Sequence, residues 1–168
     1  DLRLGADGNL DEDPGFESAQ DAVLERLVRG VLVDRCGWNI DDVLLLGYGQ
    51  GGSLALGLAS RVRGGAEAAA AAAKFKGVIS IGGPLPRSMV PTVSSRPKAA
   101  TPVLLCRAKR SEGLDDDAVE FVKDEFDKVE VAVWENKAED GMPASRDEML
   151  PIMRFFAERL RDQGGFGG

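Results

Sequence analysis

Val43-Leu44-Leu45-Leu46-Gly47-Tyr48-Gly49-Gln50-Gly51-Gly52-Ser53-Leu54-Ala55-Leu56 is the stretch whose reading decides the fold. Residues 43–46 are a short, unbroken apolar run of the kind expected of a strand buried on both faces. Small and apolar residues over 53–62 read as a helix. Glycines at 47, 49, 51 and 52 separate the two, so the segment is a strand, a tight turn and a helix.

Two uses of such a turn fit these residues. Gly47, Gly49 and Gly52 satisfy the dinucleotide-binding pattern G-x-G-x-x-G, whose glycines admit a pyrophosphate to a helix N-terminus. That reading needs an acidic residue about 20 positions on, at the end of the next strand, to hold the ribose hydroxyls. The next strand ends Ser80-Ile81-Gly82-Gly83, and the acid nearest the required spacing, Glu67, precedes that strand. The alternative is the nucleophile elbow, G-x-S-x-G, a strained strand-to-helix turn that lifts a nucleophile above the sheet. Its frame is Gly47-Tyr48-Gly49-Gln50-Gly51, with glycine where the serine belongs.

Outward from the turn, strands and helices alternate. Ser18 can cap a helix in which Val23, Leu24, Leu27, Val28, Val31 and Leu32 recur at helical spacing. Residues 77–81, 103–106 and 129–134 read as strands, and residues 115–126 and 147–161 as helices. The pattern predicts an α/β fold: four parallel strands, helices on both sheet faces, and the 47–52 turn at the carboxyl edge. Residues 1–15 read as loop, the Ala-rich stretch 64–73 as a helical extension or insertion, and the glycine-rich tail 162–168 as flexible.

With 168 residues, 43% of them hydrophobic, the chain can bury one core, so 1–168 is expected to be a single domain. A net charge of -7 argues against nucleic acid or an anionic membrane surface as partner. No apolar run approaches the 18 or so residues of a membrane span. Cys36 and Cys106 lack the spacing of a metal site and the chain has no histidine, so neither a metal nor another cofactor is expected. Both read as buried, reduced thiols, which places the chain in the cytoplasm.

The wording around the elbow resembles the phospholipase/carboxylesterase family of the α/β-hydrolase superfamily, which includes acyl-protein thioesterases and typically reads G-F-S-Q-G-G here. Further stretches are similar: Phe75-Lys76-Gly77-Val78-Ile79-Ser80 with Pro84-Leu85-Pro86, Thr101-Pro102-Val103-Leu104-Leu105-Cys106, and residues 129–156. The resemblance covers residues 16–160. It implies the C-terminal part of a hydrolase domain without its N-terminal strands. The family's nucleophile then falls on Gly49, its acid on Ser111 or, with a shift of one, on Glu112, and its histidine on Met142.

A Ser-His-Asp mechanism needs an imidazole to take the hydroxyl proton, and this chain has none. The resemblance therefore implies a pseudoenzyme that retains, at most, anion binding by the backbone of Gln50 and Gly51 beside Tyr48. The other reading is a working ester or thioester hydrolase with an unusual nucleophile, Ser53 or Cys106. Ser53 falls in the first helical turn, where serine commonly bonds backbone, and Cys106 ends a buried strand. Asp115, Asp116 and Asp117 read as helix-capping acids rather than metal ligands. Glu139 and Asp140, in the loop where the histidine would stand, read as solvated acids or weak bases. An open parallel sheet edge would need covering, so a protein partner or homodimer is expected there, besides an acyl or ester ligand.

Overall fold

The computed structural model describes residues 17–62, 74–91 and 97–161. The expected loop 1–15, the Ala-rich stretch 64–73 and the tail 162–168 lie outside these residues. The described chain forms one four-stranded parallel sheet in the order β1-β2-β3-β4, with β1 at Leu44–Tyr48, β2 at Gly77–Ile81, β3 at Val103–Ala108 and β4 at Val129–Trp134. Register follows sequence order: Leu46 lies beside Ile79, Ile79 beside Leu104, and Leu104 beside Glu130.

The two-residue period of the strands divides the core. Val78, Val103 and Leu105 face one side, where they pack with Leu24, Val28, Leu56, Leu58, Val122 and Phe126. Ile79, Ile81, Leu104 and Cys106 face the other side and meet Trp134, Ile152 and Phe155. All five residues of β2 are buried, as a central parallel strand requires. The helices are α1, which starts as an α-helix at Glu17–Asp21 and widens into a π-helix at Ala22–Val33, then α2 at Gln50–Arg61, α3 at Asp116–Glu125 and α4 at Arg146–Arg161.

The expected architecture is therefore present, with three corrections of detail. Ser18 is inside the first turn of α1 rather than at its cap. The expected apolar face of α1 is only partly buried: Leu24 and Val28 reach the core, while Leu27 and Val31 stay 49% and 37% exposed. The Ala22–Val33 stretch is π-helical, and at its end Asp34 N–H reaches five residues back to Arg29 C=O, so its faces drift from the 3.6-residue period that the sequence reading assumed. Lastly, α2 starts at Gln50, three residues earlier than the side chains suggested, because Gly49 itself makes the turn.

Asp115 caps α3 by accepting the Ala118 N–H at 2.8 Å, as expected, and Asp116 pairs with Arg107 at 3.0 Å. Among the described residues no helix is long and apolar enough to cross a membrane.

Candidate active site

β1 ends at Tyr48, and the chain reverses into α2 through Gly49 at φ 55° and ψ -123°, a conformation that costs a residue with a side chain about 1–3 kcal/mol. The Gly49 N–H donates to the Ile81 carbonyl at 2.9 Å, and the Gly49 carbonyl accepts from Ser53 N–H at 3.1 Å. Close packing explains the neighbouring glycines. A Cβ on Gly47 would overlap the Gly51 backbone, and one on Gly52 would overlap Ser80 Oγ. At Gly49 the position of a Cβ is open: beyond its chain neighbours, no atom of the described residues lies within 4 Å. The turn is thus shaped to present a side chain upward and presents none. Gln50 and Gly51, both exposed, follow at the N-terminus of α2.

The loop after β2 seats against this turn. Ser80 Oγ donates to Gly83 C=O at 2.7 Å, which folds Gly82 and Gly83 back, and a Cβ on Gly83 would strike the Gly49 carbonyl. Gly82 has φ 73° and a Cβ there would meet Asp140 Cβ at 2.8 Å. Sequence reading missed both contacts. The Gly82-Gly83 pair straight after a strand was the available signal.

Asp140 is the residue most at odds with the expectation of a solvated acid. It is half-buried. One carboxylate oxygen accepts the Ala108 N–H at 2.7 Å, the other accepts the Ser111 hydroxyl in a short hydrogen bond, and its carbonyl accepts from Tyr48 Oη at 3.3 Å. Ser111 Oγ in turn accepts Leu114 N–H at 2.9 Å. A carboxylate therefore stands beside Ser111, but it comes from the loop after β4 instead of the loop after β3. Glu112 lines a polar cavity of about 460 Å³ shared with Arg110, Glu139 and Asp140. Met142 is 53% exposed, and its carbonyl binds Lys137 Nζ at 3.0 Å.

Both alternative nucleophiles are buried. Ser53 is buried in the first turn of α2. Cys106 is 0% exposed, and burial pushes its thiol up to about 12, which leaves the thiolate negligible at neutral pH. Glu67, the acid that a dinucleotide site would need, lies outside the described residues. Among those residues no group of three or more Cys, Asp or Glu is placed to hold a metal ion.

Solved structures of similar shape include esterases. The carboxylesterase of Bacillus cereus superposes with a TM-score of 0.63 at 14% identity, covering 94% of this chain and 68% of its own. SOBER1 of Arabidopsis thaliana gives 0.62 at 19% identity, with 95% and 71% covered, and the esterase PE8 gives 0.63 at 18% identity, with 94% and 68% covered. The chain has the α/β-hydrolase fold. No protein-family model and no curated protein matched the sequence. In this hydrolase fold the residues 47–52 form a strand-to-helix turn at the carboxyl ends of β1 and β2, where G-x-S-x-G would place a nucleophile.

Proposed function

We propose that this chain is a catalytically silent hydrolase-fold module that holds a small acyl ligand, through its carbonyl or carboxylate, against the 47–52 turn without cleaving it. One observation carries the reading: the turn keeps its strained backbone and open space at Gly49, with no side-chain nucleophile. The absence of histidine removes the usual general base as well. What remains is the N-terminus of a 12-residue helix, where the amides of Gln50 and Gly51 and the helix dipole favour negative charge. Tyr48, 51% exposed, stands at the rim and its hydroxyl is held by Asp140. The two free thiols, one exposed and one buried, agree with a cytoplasmic setting.

The site is tested by titrating isotope-labelled protein with acetate, butyrate and octanoate while following backbone amide resonances. The expected result is saturable shifts centred on Gln50 and Gly51, with longer chains bound more tightly. Shifts scattered over the surface, or none up to millimolar ligand, would remove the binding reading.

A further inference from the structure

Ser53 and Ser60 are the two buried serines of α2, 6% and 0% exposed, and the fold treats their hydroxyls differently. Ser60 Oγ donates to the Gly57 carbonyl at 2.7 Å and lies 3.4 Å from the Met89 carbonyl. Ser53 bonds only through its backbone N–H, to the Gly49 carbonyl at 3.1 Å; its hydroxyl has no hydrogen-bond partner among the described residues. A buried serine in a helix ordinarily returns its hydroxyl to a carbonyl three or four residues back, as Ser60 does. Leaving one unpaired is costly and calls for a partner from outside the fold. Nor is the oxygen sealed in by packed atoms. The enclosed side-chain atoms without a partner include Arg107 Nε but not Ser53 Oγ, so this hydroxyl opens on accessible space.

Helix geometry says where that space lies. Side chains lean toward the N-terminus of a helix, so Ser53 rises beside the residues three and four before it, Gln50 and Gly49. It shares a face of α2 with Gly57 and Ser60, both of which meet Met89, and that face looks to the loop after β2 rather than to the β1 edge. In the same loop Gly83 is buried against the turn, its Cβ position 2.2 Å from the Gly49 carbonyl oxygen and 2.7 Å from the Ser53 nitrogen. The Gly83 carbonyl accepts from Ser80 Oγ, but the Gly83 N–H, like the Ser53 hydroxyl, has no partner among the described residues.

Two donors without partners, one from α2 and one from the loop after β2, therefore flank the Gly49 peptide next to the amides of Gln50 and Gly51. We infer that the Ser53 hydroxyl and the Gly83 N–H complete an acceptor site with those amides, and that the group it takes is a free carboxylate. The inference rests on the proposed binding at the 47–52 turn and narrows its ligand. A carboxylate accepts only, through two oxygens with about four lone-pair sites, and its full negative charge suits the start of a helix. An ester or thioester carbonyl brings one oxygen and would leave part of a buried donor set unpaired. The Asp140 carboxylate, whose Cβ abuts Gly82, is already held by Ala108 N–H and the Ser111 hydroxyl. The group recognised is thus the product of acyl hydrolysis rather than its substrate, which agrees with a turn that carries no nucleophile.

Parallel titrations of labelled wild type and Ser53→Ala with butyrate and with methyl butyrate at neutral pH test this, read at the amides of Gln50, Gly51 and Gly83. Butyrate is expected to shift all three with one dissociation constant, and methyl butyrate to bind about 10-fold more weakly or less. Ser53→Ala should weaken butyrate by about 10-fold, the loss of one hydrogen bond to a charged group. Its urea midpoint should be unchanged or raised, because the fold loses no hydrogen bond of its own. Butyrate binding indifferent to Ser53→Ala, or methyl butyrate bound as tightly, would overturn the inference and leave binding at the turn standing. A lowered midpoint for Ser53→Ala would also overturn it, by showing the hydroxyl bonded within the fold. No saturable shift with either ligand would remove the binding at the turn and this inference with it.

Discussion

Asp140 and Ser111 form the pairing on which the candidate site turns. Converting Ser111 to aspartate, the residue the hydrolase resemblance asks for, would set two carboxylates in contact and remove the hydroxyl that Asp140 accepts from. Ser111→Asp should therefore destabilise the fold, by about 1–3 kcal/mol, rather than repair the site. The exchanged pair Ser111→Asp with Asp140→Ser should recover much of that loss. Urea denaturation of both singles and the double, read as a double-mutant cycle, checks this, and strict additivity would show that the pair does not interact. The cysteines give a second test. Cys36 is exposed and should react with a disulfide reagent at pH 8 within seconds to minutes, whereas Cys106 should react only as the protein unfolds. Two thiols reacting together in the native protein would mean that Cys106 is accessible from solvent.

The loop before α4 shows how an element end is fixed by one side chain. Glu148 Oε2 accepts Ala144 N–H at 2.6 Å and lies 3.3 Å from Lys137 Nζ. The Ala144 amide, followed by Lys137, holds the Glu148 carboxyl below the usual glutamate range against the opposing effect of desolvation. A depressed folded pKa means that the unfolded chain takes up the proton first as pH falls. The stabilisation is full above the ordinary glutamate pKa and is lost as pH drops through the folded value. Between pH 7 and 3 the wild type should lose more stability than Glu148→Gln, a difference that denaturation midpoints would show; parallel pH profiles would discount the interaction.

Elements of this kind were legible in sequence to different degrees. β2 and β4 match their expected bounds residue for residue, because apolar and β-branched runs between Gly, Pro or charged residues state both the period and the ends. The start of α2 was hidden, since Gln50, Gly51 and Gly52 carry no helical periodicity. The Ser111–Asp140 contact joins two loops 29 residues apart, and no local pattern records which of two adjacent acids turns inward.

At the scale of the whole molecule, a complete-looking hydrolase turn sits on a four-stranded sheet whose carboxyl edge carries a hydroxyl and a carboxylate but no imidazole. Restoring the serine alone places a hydroxyl in open space without a base to take its proton, so Gly49→Ser should remain near background while losing about 1–3 kcal/mol of stability to the left-handed backbone. The most direct test of a silent site is to incubate the wild type and Gly49→Ser with a p-nitrophenyl ester and with a serine-directed phosphonylating probe, following p-nitrophenolate release and intact mass. Both proteins are expected to show neither a burst nor a covalent adduct. Sustained hydrolysis by the wild type, abolished by Ser53→Ala or Cys106→Ala, or vigorous turnover by Gly49→Ser alone, would contradict it by revealing a nucleophile or base already at work beside the turn.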